Sequence, residues 1–169
     1  MKNQKNKYLM CCKNFRLNIS SVAMIICISL GSCTSINVYE RTVPIPLQAW
    51  YYNNTPSFSF NITDTLASYN IYIVLRHTDA YEYNNIWLRL GIKSPINFQN
   101  QNLDITLGSD AKGWEGKGMD DIFEVRKNIT NGPVPFKKSG TYTFTISQIM
   151  RENPLKHILN VGVRVEKMQ

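Results

Sequence analysis

The sequence predicts an all-β fold, a single two-sheet β-sandwich of the jelly-roll or immunoglobulin-like kind. Three observations predict it. Between residues 57 and 166, apolar side chains recur at every second position in short runs. Val, Ile, Thr, Tyr and Phe fill those runs, while Gly, Pro, Asn and Asp separate them. No long stretch carries the helical apolar period.

The 169-residue chain opens differently. Its first sixteen residues hold Lys2, Lys5, Lys7, Lys13 and Arg16 and no acid, and an apolar run from Leu17 to Leu30 follows. Leu30-Gly31-Ser32-Cys33 closes the segment. A basic region, a short apolar core and small residues before a cleavage point define a secretory signal. The core falls short of the roughly 20 residues of a transmembrane helix. A Leu, two small residues and a Cys resemble the bacterial lipobox, in which the Cys thiol takes diacylglycerol and becomes the mature N-terminus. Acyl chains such as palmitate then anchor the chain, each buried CH₂ contributing about 0.8 kcal/mol. Residues 1–32 are read as signal peptide, 33–46 as the lipidated N-terminus and a tether ending in Pro44 and Pro46, and 47–169 as the sandwich.

Cleavage changes the composition arithmetic. The formal charge of +7 includes five bases and no acid from the signal, so the mature chain carries only +2. Nucleic acid loses its main support as a partner. Cys11, Cys12 and Cys27 leave with the signal and Cys33 is acylated, so no thiol remains for a disulfide, a zinc site or a nucleophile. Neither an Asp nor an acidic run follows Cys33. The expected location is therefore the outer membrane, lipid-anchored and facing the periplasm.

The strands follow in order. Phe58, Phe60 and Ile62 alternate with Ser59 and Asn61. Tyr69 to His77 is β-branched and aromatic. Ile86, Leu88, Leu90 and Ile92 face inward, with Trp87 and Arg89 opposite. Leu103 to Leu107 alternates, as does Thr141 to Ile146, with Tyr142, Phe144 and Ile146 inward. Val161, Val163 and Val165 make the last strand. Residues 147–151 are expected to form a short helical turn, stopped before Pro154. Residues 111–118, AKGWEGKG, read as a glycine-rich loop, and Asn131-Gly132-Pro133 as a turn.

Few residues point to catalysis. His77 lies near Asp79, yet no G-x-S-x-G elbow supplies a nucleophile, and a strand-end histidine making one hydrogen bond is the simpler reading. His157 has no neighbouring signature. Glu115, Asp120, Asp121 and Glu124 lack the spacing of a calcium loop. Gly113, Gly116 and Gly118 lack the Ser or Thr after Lys117 that a phosphate loop needs. No metal or cofactor is expected. The candidate interaction surface is aromatic: Trp87 with Arg89, and Tyr81, Tyr83 and Trp114 in loops or near strand ends, beside Trp50, Tyr51 and Tyr52. Such rings stack on sugars or anchor protein partners when exposed. Asp64-Thr65-Leu66 resembles a short O-glycosylation motif of Bacteroidetes, with Thr65 as acceptor.

An ordered series runs through the mature chain: Trp50, Phe58-Ser59-Phe60, Asp64-Thr65, Tyr69-Asn70, Leu75-Arg76 and Tyr81 to Asn85. It continues with Trp114 to Gly118, Gly140 to Phe144, Met150-Arg151, Leu155 and Val161 to Arg164. From about residue 36 to 167 this series is similar to the gliding-motility lipoprotein family GldH of Bacteroidetes. The resemblance implies a non-enzymatic envelope lipoprotein that supports gliding and the linked type IX secretion machinery through protein contacts. It carries over one chemical role, acylation of Cys33. The rival expectation is a glycan-binding sandwich using exposed Trp and Tyr.

Overall fold

The computed structural model describes residues 35–168. The expected signal segment and the expected acylation site, Cys33, lie outside them. The strands are β1 (Ser35–Pro44), β2 (Ala49–Trp50), β3 (Ser57–Ile62), β4 (Ser68–Thr78), β5 (Asn85–Lys93), β6 (Phe98–Thr106) and β7 (Gly108–Ser109). They continue with β8 (Gly113–Trp114), β9 (Lys117–Met119), β10 (Ile122–Asn128), β11 (Val134–Pro135), β12 (Gly140–Gln148), β13 (Leu155–Lys156) and β14 (Ile158–Met168). One sheet runs β1-β14-β4-β10-β9, with β11 beside β4, and the other runs β3-β12-β5-β6. The small pairs β13–β2 and β7–β8 cover one end of the sandwich. Among the described residues no helix is long and apolar enough to cross a membrane.

Period-2 patterning explains the layers, because successive side chains on a strand face opposite sides of the sheet. Phe58, Phe60 and Ile62 are buried, as are Ile86, Leu88 and Leu90 and Tyr142, Phe144 and Ile146. They meet Val161, Val163 and Val165 and the inner residues of β4 in one core. Aromatic rings fill one end: Phe60 lies 5.1 Å from Phe144, and Phe136 lies 4.6 Å from Tyr142 and 5.1 Å from Tyr69.

Four sequence expectations need correction. Most of the tether expected over 33–46 is strand: β1 pairs antiparallel with β14 from Ser35↔Met168 to Pro44↔Asn160. As an edge strand it tolerates Pro44. The helical turn expected at 147–151 is absent. β12 runs on to Gln148, whose buried side-chain amide donates to the carbonyls of Trp50 (3.2 Å) and Glu152 (2.9 Å) and accepts from the Met150 N–H (2.8 Å). That amide satisfies the local backbone, as a helix would otherwise have done. Strand β6 starts five residues before the expected Leu103, because its backbone pairs with β5 without a break. Finally, β10 is a full strand between β4 and β9 that the apolar pattern did not reveal.

Candidate interaction surface

The predicted aromatic set divides into an inner and an outer group. Tyr81 is not on the surface. It is 3% exposed, and its hydroxyl donates to the Asn85 carbonyl at 3.0 Å. Burial pushes its phenol well above the ordinary tyrosine value. Trp114 is half-buried and lies edge-on to His77 at 4.6 Å. Phe123 stacks near-parallel to His77, 5.8 Å away, and also lies 6.2 Å from Trp114. These rings plug the end of the sandwich, since a loop carrying an aromatic plug hides apolar strand ends from water. Trp50 is also a core residue, and its indole N–H donates to the Asn54 carbonyl at 2.8 Å.

His77 is fully buried inside that plug. Its Nδ1 lies 2.8 Å from the Thr78 carbonyl. A carbonyl only accepts, so Nδ1 carries a hydrogen. Nε2 has no hydrogen-bond partner among the described residues. Burial holds the imidazole below the usual histidine value, outweighing the Thr78 bond that acts in the opposite sense. The Asp79 N–H donates to the Asp121 carbonyl rather than to the histidine.

The glycine-rich loop serves the same plug. Gly116 has φ +90, and a Cβ there would lie 2.0 Å from the Glu124 carbonyl oxygen. Only glycine lets this loop cross β10 so closely. Glu115 pairs with Lys127 at 2.9 Å, and Glu124 pairs with Arg76 and Arg126. Two of the four acids considered for a cation site, Glu115 and Glu124, thus sit against cations. Among the described residues no group of three metal-ligating side chains converges.

The outer group forms the candidate surface. Trp87 is 42% exposed on the outward face of β5, opposite Asp104 of β6. Arg89 follows on the same face, opposite Asn102. A cleft of about 620 Å³ opens beside Trp87, lined by Tyr83, Asn85, Ile149, Met150 and Arg151. The Trp87 N–H donates to the Met150 sulfur at 3.2 Å, and the Ile149 N–H donates to the Trp87 carbonyl at 2.9 Å. Asn85 donates to Asp104 at 2.7 Å. Tyr83 packs edge-on against Tyr81, 5.7 Å away, and its hydrogen bond to Glu152 raises its phenol above the ordinary value. Trp87 and Tyr83 thereby line one cleft with Arg89 next to Trp87 along β5, while Tyr81 and Trp114 belong to the plug. Sequence reasoning named Tyr52 among the aromatics but did not place Met150 and Arg151 at this surface. The Tyr52 hydroxyl donates to the Met150 carbonyl across 98 residues, a pairing no local pattern signals.

Thr65 lies half-buried in the turn between β3 and β4. Asp64 accepts from the backbone N–H groups of Leu66 (2.9 Å) and Ala67 (3.2 Å) and from Lys167 (2.7 Å). Those bonds hold its carboxyl below the ordinary range, Lys167 contributing most. Asp64 therefore has a structural use of its own.

Fold and surface define a compact two-sheet β domain with a cleft of mixed polarity beside Trp87 on one sheet face. The family model described as GldH lipoprotein matches residues 37–165. The chain belongs to that family of gliding-motility lipoproteins. It is 28% identical over 160 residues to a protein of Flavobacterium johnsoniae named gliding motility lipoprotein GldH, covering 90% of this chain and 98% of that one. It is 30% identical over 151 residues to a gliding motility lipoprotein GldH homolog of Christiangramia forsetii, covering 83% and 90%. A solved structure, the infectious bursal disease virus VP2 subviral particle, overlaps 80% of this chain and 32% of its own at 15% identity. Its TM-score of 0.32 is too low to define the fold.

Proposed function

We propose that this chain is an outer-membrane lipoprotein, cleaved after Ser32 and acylated at Cys33, whose sandwich supports gliding motility and the linked type IX secretion machinery. It works through protein contacts and carries no catalysis. The observation that carries the contact reading is the exposed Trp87 beside Tyr83, Met150 and Arg151. Trp, Tyr and Arg are the residue types that dominate binding energy at protein interfaces. The relatives' names supply the motility role. Replacing the gene by a Trp87→Ala/Arg151→Ala copy, then measuring colony spreading and type IX cargo secretion, tests it. Loss of both at unchanged protein level is expected. Spreading and secretion as in the wild type refute the contact surface.

A second reading has its own support. Asp104, Asn85, Asn102 and Arg89 surround the Trp87 ring, and a flat ring among amides and a carboxylate suits a sugar. Binding of the lipoprotein to a glycan array, abolished by Trp87→Ala, is its signature. Thr65 remains a proposed O-glycosylation site, testable by intact mass of wild type and Thr65→Ala.

A further inference from the structure

We infer that the end of the sandwich where β1 begins is a membrane-docking face that presses on the lipid headgroups. The inference rests on acylation of Cys33. One residue, Thr34, separates Cys33 from β1. Two residues of chain span at most about 7 Å. The strand is locked into the large sheet from its first residue, since Ser35 pairs with Met168 and Lys167 pairs with Tyr69. An acylated Cys33 therefore holds this end of the domain at the bilayer, with no tether to lift it away.

The three loops clustered at this end have the chemistry of that position. They are residues 63–67, 94–97 and 129–139. Tyr69 donates to the Asp64 carbonyl and packs on Phe136, and a Cβ on Gly140 would lie 2.9 Å from the Pro95 ring. The loops are thus neighbours. Leu66 is 97% exposed, Ile96 57% and Phe98 61%. Around them Lys93, Lys137 and Lys138 are exposed, while the one loop acid, Asp64, is paired with Lys167. Apolar tips that enter the headgroup zone, ringed by lysines that reach phosphates, describe an interfacial anchor.

Exposed apolar side chains also occur at the opposite end, at Leu47 and Met119. Charge separates the two ends. The opposite loops, residues 79–84, 107–121 and 149–157, hold seven acids against four Lys and Arg. Met119 is followed directly by Asp120 and Asp121. Anionic phosphates attract the first end and repel the second.

The test uses the full chain, processed and extracted from membranes, then reconstituted in phosphatidylethanolamine–phosphatidylglycerol vesicles. Acylation leaves Cys33 without a free thiol, so Leu66→Cys, Ile96→Cys and Met119→Cys each give one site for a nitroxide. At 66 and 96, accessibility to oxygen over a water-soluble nickel chelate should rise several-fold above that at 119. The charge-reversed Lys137→Glu/Lys138→Glu form should lower that ratio at 66. Equal ratios at all three sites, with Cys33 acylated by intact mass, would overturn the docking face while leaving the anchor standing. Labels at 66 and 96 shielded from both reagents would overturn it in favour of a protein contact, such as a second copy. An unacylated Cys33 would overturn anchor and docking face together.

Discussion

Lowering the pH from 7.5 to 5.5 should destabilise this domain through one residue, His77. Its imidazole is fully buried against Trp114 and Phe123 and is held below the usual histidine value. In the unfolded chain it titrates near 6.5. Between its lowered folded value and 6.5, the unfolded state binds the extra proton, so stability is complete above 6.5 and falls as the pH drops through that window. The slope for one proton is about 1.4 kcal/mol per pH unit. The loss at pH 5.5 relative to pH 7.5 is at most about 1.4 kcal/mol, reached when the folded ring stays neutral over the whole window. At a urea slope of about 2 kcal/mol per M, the midpoint falls by up to about 0.7 M. His77→Phe keeps an aromatic ring among its aromatic neighbours and removes the proton site. The assay is urea unfolding of wild type and His77→Phe by tryptophan fluorescence, in half-unit steps of pH. The difference between the two cancels every other titrating group. Asp64 and Glu124 are both held below the ordinary carboxylate range and titrate below this window. Parallel profiles for the two proteins would refute the neutral buried histidine.

Other outcomes follow from the same geometry. Phe144→Ala removes a fully buried ring at the centre of the smaller sheet and should cost about 3–5 kcal/mol, read as a lower urea midpoint. Gly116→Ala places a Cβ against the Glu124 carbonyl at positive φ. It should destabilise by more than about 1 kcal/mol and raise proteolysis within residues 111–118. Trp87→Ala leaves the thermal midpoint within a few degrees, because the ring is largely on the surface, while colony spreading is lost. Gln148→Leu keeps the volume but strands the carbonyls of Trp50 and Glu152 and the Met150 N–H. It should cost about 2 kcal/mol or more in urea unfolding.

The strands with one buried and one wet face were legible because their pattern states which side meets the core. Phe58-Phe60-Ile62 and Tyr142-Phe144-Ile146 specify their register without help. β1, β10 and the first half of β6 were not legible, and each for a physical reason. β1 and β6 are edge strands, where partner backbones rather than apolar alternation fix the structure. The outer half of β6, Phe98-Gln99-Asn100-Gln101-Asn102, buries no side chain. β10 carries Glu124, Arg126 and Lys127, whose charges are met by Arg76, Glu40 and Glu115 from other segments. Those ion pairs are long-range and invisible to a local window. The candidate surface was half legible for the same reason. Trp87 and Arg89 announce themselves by facing away from Ile86 and Leu88. Tyr81 looks equally exposed in sequence, because nothing local shows that Trp114 and His77 close over it.

On the proposed docking and contact readings, the two ends of the domain have opposite tasks, and the strand directions keep them apart. β5 begins at Asn85 beside the Trp87 cleft and ends at Lys93 among the lysine-rimmed loops. Six residues of strand between Trp87 and Lys93 span about 20 Å. An anchor with a free tether would leave the cleft at no defined height. On the proposed docking, with β1 paired from Ser35 onward, strand length sets the distance of the cleft from the bilayer. A partner held in the same membrane then meets Trp87 without the orientational search that a flexible linker imposes. Inserting a flexible Gly/Ser stretch between Thr34 and Ser35 should therefore weaken spreading while leaving acylation and folding intact. Full spreading with the insertion would show that the rigid start of β1 has no bearing on function.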